Sequence, residues 1–367
     1  MLFPWVTLRF KETDMNIQVS LVAALSLVPS ILAFPAASQI VVDGTNSGEF
    51  LTPLTVQTST TGFGDAVNGT PDVCGGSELD NCFAAIDGGV LYLFFGGNLE
   101  SNFNKFELFI DSGIGGQNSV RGDNADVDFN GLNRLGESAA GVGDGLKFDE
   151  CFSANFYLTA TCGGTPTALY ANIAQVLTDG GGIGAYIGSG APGTVAIDNA
   201  KYGVKVALNN SNVLGVTGDG GTTDGAATVA TGIEVAIPLS LMGYDAATQQ
   251  NIKVCAMING GGHDYLSNQI LGGLALGTTN LGEPRAVNLA LAAGNQYAVV
   301  VVDADEPDCP VVPPSCPADF NADGTIDGAD LATVLSGWGT ASGDTNGDLI
   351  TDGADLAAVL SAWGPCV

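Results

Sequence analysis

The chain has 367 residues, 53 of them glycine, and carries 39 Asp and Glu against 10 Lys and Arg, a formal net charge of −29. Neutralising nucleic-acid phosphates needs the opposite field, so no nucleic-acid partner is expected. A hydrophobic content of 46% argues against a wholly disordered chain, and a single His excludes multi-histidine zinc and iron sites while leaving oxygen-ligated Ca2+ open.

Residues 1–38 read as a signal peptide. Arg9 and Lys11 precede the apolar stretch VSLVAALSLVPSILAFPAAS, which ends in small residues, with cleavage expected near Ala37 or Ser38. Translation from Met15 would leave a signal of ordinary length. Pro29 interrupts the stretch, and no later segment reaches the roughly 20 apolar residues that span a bilayer. The expected destination is secreted, extracellular or cell-surface, with no retained transmembrane segment.

Export and an even cysteine count favour disulfides over thiolate metal sites, because none of the eight cysteines forms a CxxC pair. Proximity in sequence favours Cys74–Cys82 and Cys151–Cys162.

Residues 39–302 carry short strand candidates separated by Gly, Asn and Asp: QIVVDG, LTVQT, FAAI, VLYLFFGG, KFELFID, NFYLTAT, ALYANIA, VKVALNN, GIEVAIP, IKVCAMING and QYAVVVV. Asp87-Gly88-Gly89 is a hairpin turn. In KFELFID, alternation places Phe106, Leu108 and Ile110 on one face and Lys105, Glu107 and Phe109 on the other. Helical turns are expected only at Pro238–Met242 and around Pro284–Ala293. The predicted fold is mainly β, an antiparallel β-sandwich.

The loop RGDNADVDFNGLNR offers Asp123, Asn124, Asp126, Asp128 and Asn130, either as a solvated polar loop or as a further calcium site. Asp111 reads as a turn residue at a strand end, with ligation as the alternative. His263, beside Asp264 and Tyr265, has no nucleophile elbow before it, so a turn or packing role is favoured over general-base catalysis. Glycoside hydrolysis needs two carboxylates facing across a cleft. Glu107 and Glu234 are candidates, although the expected role for both is an outward polar position on an amphipathic strand. This region has no Trp, so stacking on a sugar would fall to Tyr92, Tyr157, Tyr170, Tyr186, Tyr202 or Tyr265.

The segments IVVDG, LYLFFGG with FELFIDS, and GIEVAIPLSLMG resemble secreted β-sandwich domains of the carbohydrate-binding family 9 and DOMON-like group. LYLFFGGNLESNFNKFELFID, DVDFNGLN and INGGGHDYLSNQILGG are similar to a family of exported bacterial proteins that supplies no activity to carry over.

Residues 303–315 form an acidic, Pro-rich linker. Residues 316–367 contain a repeat: DFNADGTIDGADLATVLSGWG from Asp319 and DTNGDLITDGADLAAVLSAWG from Asp344. In an EF-hand-type loop, Asp319, Asn321, Asp323, Thr325 (through its carbonyl), Asp327 and Asp330 have the oxygen spacing for Ca2+. In the second copy the equivalents are Asp344, Asn346, Asp348, Ile350 (carbonyl), Asp352 and Asp355. Two Ca2+ ions are expected, the second weaker because Leu349 replaces Gly324 at the sharp turn. Leu331, Val334, Leu335 and Trp338, and again Leu356, Val359, Leu360 and Trp363, mark an amphipathic helix in each copy.

This tail resembles a type I dockerin, a small α-helical module with paired loops. The resemblance implies attachment to a cohesin-like protein or a cell-surface component, although Gly328-Ala329 and Gly353-Ala354 depart from the family's usual recognition pairs. Cys316 and Cys366 could clasp its ends. The sequence therefore reads as a secreted, non-catalytic, calcium-binding protein serving attachment or assembly. The alternative is a carbohydrate-binding or glycoside hydrolase component of extracellular polysaccharide breakdown, with polysaccharide as the partner.

Overall fold

The computed structural model describes residues 40–113, 115–136, 145–245, 250–304, 318–321, 325–340, 342–345 and 350–365. The expected signal peptide and nearly all of the expected linker lie outside them. Two antiparallel sheets carry the fold. In chain order the strands are β1 (Thr55–Val56), β2 (Glu78–Asp87), β3 (Val90–Asn98), β4 (Lys105–Asp111), β5 (Phe156–Gly163), β6 (Ala168–Gln175) and β7 (Gly184–Gly190). They continue with β8 (Gly193–Asn199), β9 (Val204–Leu208), β10 (Gly232–Pro238), β11 (Ile252–Asn259), β12 (Leu266–Ile270) and β13 (Ala298–Val300). The first sheet runs β1-β2-β3-β10-β9-β8. The second runs β12-β11-β4-β5-β6-β7, with β13 also on β11.

Alternation explains how the sheets meet. Leu79, Leu91, Leu93, Phe95, Val206, Ile233 and Val235 from the first sheet share one buried cluster with Phe106, Leu108, Ile110, Leu158, Ile173 and Val254 from the second. Burying each such side chain contributes about 1.5–3 kcal/mol before entropy is counted. Asp87 pairs with Val90, and Gly88 and Gly89 have φ of 56° and 79°, the left-handed pair that a tight two-residue hairpin requires. Helical turns occur at Leu239–Met242, Pro284–Ala286 and Leu289–Leu291, inside both expected regions, and also at Ala226–Thr228, where none was expected.

The outer face of the second sheet is also covered. Phe109, Tyr157, Ala174, Cys255 and Met257 project from the strands into a second core with Val120, Val127, Leu132, Leu135, Leu146, Phe148, Phe152 and Leu289 from the connections. A short helix, α1 (Gly131–Arg134), belongs to this cover. The sheet is thus buried on both faces over much of its length, which is why Glu107, expected to point outward, is fully buried. Glu234, given the same outward expectation, is buried too, and accepts the backbone N–H groups of Asp43 (2.8 Å) and Gly44 (3.0 Å). That clamp holds the segment 40–44, which makes no regular strand; its Gly44 carbonyl accepts from the Gly232 N–H, and the adjoining Thr45 bridges Thr231.

The disulfide expectation is corrected. Cys74, Cys82, Cys162 and Cys255 are buried free thiols. Cys151 is disulfide-bonded, but not to the free Cys162. Cys74 and Cys82 are held apart in role: Cys82 points into the core between the sheets, whereas the Cys74 thiol donates to the Gly76 carbonyl. Burial pushes Cys74 up to about 12. Cys309, Cys316 and Cys366 lie outside the described residues.

At the C-terminus, α2 (Gly328–Ser336) and α3 (Gly353–Ser361) match the two repeat copies. Strands β14 (Thr325–Ile326) and β15 (Gly364–Pro365) pair, so the first loop bonds to the segment after the second helix. Reciprocally, Thr351 bonds through its backbone to Gly339 and Thr340, after the first helix. The copies are interlocked around Val334 and Val359, both fully buried.

The expected pair of Ca2+ ions is corrected as well. Among the described residues no three His, Cys, Asp or Glu side chains are grouped to hold a metal. The oxygens at loop position 12 are engaged in another task. Asp330 accepts N–H bonds from Phe320 (2.8 Å) and Asp327 (2.9 Å), and Asp355 accepts from Thr345 (2.8 Å) and Asp352 (2.7 Å). Asp327 and Asp352 cap their helices by accepting from Ala329 and Ala354, completing a reciprocal capping box in each copy. The N–H bond from Asp327 and those from Phe320 and Asn321 hold the Asp330 carboxyl below its ordinary range. Asp319, Asn321, Thr325, Asp344 and Ile350 are placed in the loops, whereas Asp323, Asn346 and Asp348 lie outside the described residues.

Candidate functional site

Strand register assembles the site. Lys105 on β4 stands opposite Thr161 on β5, and Thr161 opposite Tyr170 on β6. The next outward row runs Glu107, Thr159, Asn172 and Tyr186, the last on β7. A third row, Phe109, Tyr157 and Ala174, is apolar and belongs to the outer core. Where that cover ends, a cavity of about 480 Å³ opens, lined by Phe103, Lys105, Asp128, Phe129, Thr161, Tyr170, Asn172 and Tyr186. This volume falls within the range of small-molecule sites. Four aromatic rings form its walls, and an ammonium, a carboxylate, a hydroxyl and an amide supply polar groups.

The polar groups are held from behind. Lys105 Nζ donates to Asp128 Oδ2 at 2.7 Å, and His263 Nε2 meets the same oxygen at 2.9 Å. His263 Nδ1 lies 2.6 Å from Glu107 Oε1, and the Tyr157 hydroxyl donates to Glu107 Oε2. Both imidazole nitrogens therefore face carboxylate oxygens, an arrangement that the doubly protonated ring satisfies by donating twice. Burial opposes that charge, but Glu107 and Asp128 outweigh it and hold His263 at about 9. Burial also pushes Asp128 up, yet the His263 and Lys105 donors bring its carboxyl below the ordinary value. Burial beside Glu107 raises Tyr157 well above a normal phenol.

Backbone strain concentrates here. Among the described residues, the non-glycine positions with positive φ are Phe103 (71°), Asp128 (45°), Phe129 (56°), Asn130 (69°) and His263 (55°). All five belong to the cavity, its rim or its backing network. Left-handed geometry costs an L-residue of this kind about 1–3 kcal/mol and marks functional sites more often than chance. Phe129 is fully exposed in the middle of this run, although burial would favour it. Gly131 permits the packing, because a β-carbon there would collide with His263 Nε2. Gly163 leaves room for the Phe103 ring, which would lie 2.8 Å from any β-carbon at that position.

The expected residues divide accordingly. Tyr170 and Tyr186 reach the cavity, while Tyr157 lies beneath it. Tyr265 stacks on Phe63 with centroids 6.1 Å apart. Tyr92 and Tyr202 pack against other clusters. In the acidic loop, Asp128 joins the site, Asp123 pairs with Arg121 at 2.7 Å, and Asp126 is exposed. Asp111 accepts from the backbone N–H groups of Gly113 and Ser153, a strand-end role. His263 does occupy a turn, as expected, but its two carboxylate partners come from Glu107 and Asp128, not from its neighbour Asp264.

Phe103, Lys105, Phe129, Thr161 and Asn172 escape a reading by sequence alone. The available signals were weak: a Lys opening an apolar strand and a Phe set among turn-forming Asp and Asn. No family model, no curated protein and no solved structure matches this chain.

Proposed function

We propose that this chain is a secreted, non-catalytic carbohydrate-binding protein whose site is the aromatic cavity on the second sheet. The observation that carries this reading is the combination of Phe103, Phe129, Tyr170 and Tyr186 with Lys105, Asp128 and Asn172 around one opening. Sugars present apolar C–H faces and rims of hydroxyl groups, so rings for stacking and fixed donors and acceptors for orientation are the matching chemistry. Lys105 donates, Asp128 accepts, and the Asn172 amide does both. Of the described residues lining the cavity, Asp128 is the one carboxylate, and it is committed to Lys105 and His263. Hydrolysis needs a facing pair.

The C-terminal repeats serve attachment in this proposal. Their dockerin-like loop–helix order supports it, as do Leu335, Trp338, Leu360 and Trp363, which are half exposed at matching positions of the two copies. A cohesin-like or cell-surface protein is the proposed partner.

Retention on insoluble polysaccharides, with reducing ends assayed in parallel, tests the reading. The full chain is expected to be retained on at least one polysaccharide without releasing reducing ends, and Tyr186→Ala to reduce retention. Release of reducing ends that disappears in Asp128→Asn, with folding unchanged, would replace binding by hydrolysis.

A further inference from the structure

A second cavity, about 420 Å³, adjoins the first and is lined in part by Phe129, Asn130, Asn133, Arg134 and Arg285. Phe129 lines both. The left-handed run Asp128–Asn130 forms the ridge between them, with Asp128 on one side and Asn130 on the other. The few arginines among the described residues gather here, although Asp123 neutralises Arg121 through a two-pronged pair. The chain has four arginines, Arg9, Arg121, Arg134 and Arg285, within a net charge of −29. The three that lie among the described residues all belong to this neighbourhood: Arg121 opens the loop that carries the ridge, and the other two line the cavity.

Arg134 and Arg285 share one carboxylate. Arg134 binds Glu283 through both terminal nitrogens, at 2.7 and 2.6 Å, and Arg285 binds it through Nε at 3.0 Å and Nη2 at 3.3 Å. Each guanidinium has five N–H donors, of which Glu283 takes two. Two positive charges against one negative leave the trio net positive, while Asp264 lies close enough to act on Arg134. Both arginines are partly exposed, at 31% and 39% of their side chains. Glu283 fixes the forks without saturating them, which suits paired recognition of a planar carboxylate or a sulfate.

We propose that this second cavity is an anion subsite continuous with the aromatic cavity across Phe129, and that the glycan bound is acidic, with its carboxylate or sulfate paired to Arg134 and Arg285. The inference rests on the carbohydrate reading and adds the substrate class. The overall negative field disfavours an acidic polymer at long range, so recognition has to be local, at the close range where salt screens least.

Calorimetry on the full chain tests it, using oligogalacturonate (carboxylated), carrageenan oligosaccharides (sulfated) and cello-oligosaccharides (neutral) of matched length. At about 0.15 M salt, where long-range repulsion is largely screened, one acidic probe is expected to bind about tenfold or more tighter than the neutral one. Whichever acidic probe leads identifies carboxylate or sulfate as the group read. Arg285→Gln should erase the margin and leave neutral binding intact, and Arg285→Lys should restore part of it, with melting temperatures confirming that both variants fold. Tyr186→Ala should weaken all probes. An acid-to-neutral ratio unchanged in Arg285→Gln, or neutral binding alone, overturns the anion subsite and leaves the aromatic cavity standing. Binding of no probe overturns both.

Discussion

Lys105, Glu107, Asp128 and His263 place two cationic and two carboxylate side chains beneath one wall of the cavity, with the Tyr157 hydroxyl and the Asn259 amide completing Glu107. Removing one member of such a buried set leaves its partners desolvated and unpaired, which costs about 3–5 kcal/mol. His263→Gln is therefore expected to destabilise the protein by about 3 kcal/mol in urea unfolding; a loss below about 1 kcal/mol would show that the network does not hold the fold. Phe129→Ala should behave in the opposite way. Phe129 buries nothing, so its removal should leave stability within about 0.5 kcal/mol while weakening ligand binding. Equal losses of stability and binding would make Phe129 a packing residue. Sequence could single out His263 as the only imidazole and Asp128 as one acid among several. It could not bring them together, because the contacts span 135 residues to Asp128 and 156 to Glu107.

Periodicity read strands such as β4, β5, β10 and β11 correctly because their apolar residues alternate or run continuously. It missed β8, which is GTVAIDN, and it missed β7, which is GAYIGSG, and β12, which is LSNQI, because neither of the last two carries an apolar pattern. Strand β12 is nonetheless buried throughout, with Asn268 donating to Thr60 and Thr278 carbonyls. The assumption that one sheet face meets water failed for β4, whose Glu107 lies under the outer cover. In the C-terminal repeats the helices and their stripes were legible, but the use of Asp330 and Asp355 was not, since the same spacing serves metal ligation and helix capping. Asp355→Ala removes the reciprocal bond of its capping box and should cost about 1 kcal/mol. Thermal melting followed by far-ultraviolet circular dichroism checks this, and an unchanged or raised melting temperature would contradict it.

Across the whole molecule three buried acids, Glu78, Asp80 and Glu234, and the one imidazole respond to pH in the same direction. Burial holds Glu78 up at about 9 and Asp80 at about 8, with the Asn212 amide between them, and burial holds Glu234 at about 7. Folding favours the protonated form of each, so their contribution is full near pH 4 and is lost as pH rises through 7 to 9. His263 contributes fully below its ordinary value of 6.5 and loses that contribution as pH rises through about 9. Asp128, Asp330 and Glu283 are shifted downward, and their contributions disappear only as pH falls below about 4. Stability should peak near pH 5 and decline toward pH 9; a urea midpoint that is flat or rising across that range would contradict the assignment. Whether the aromatic cavity receives a sugar is read out by saturation-transfer NMR. Irradiating the protein's aromatic protons in the presence of an oligosaccharide should transfer saturation chiefly to protons on one face of a ring, and Tyr186→Ala should reduce the transfer sharply. Transfer to none of the neutral, carboxylated or sulfated oligosaccharides, or transfer indifferent to Tyr186→Ala, would show that the cavity is not a sugar site.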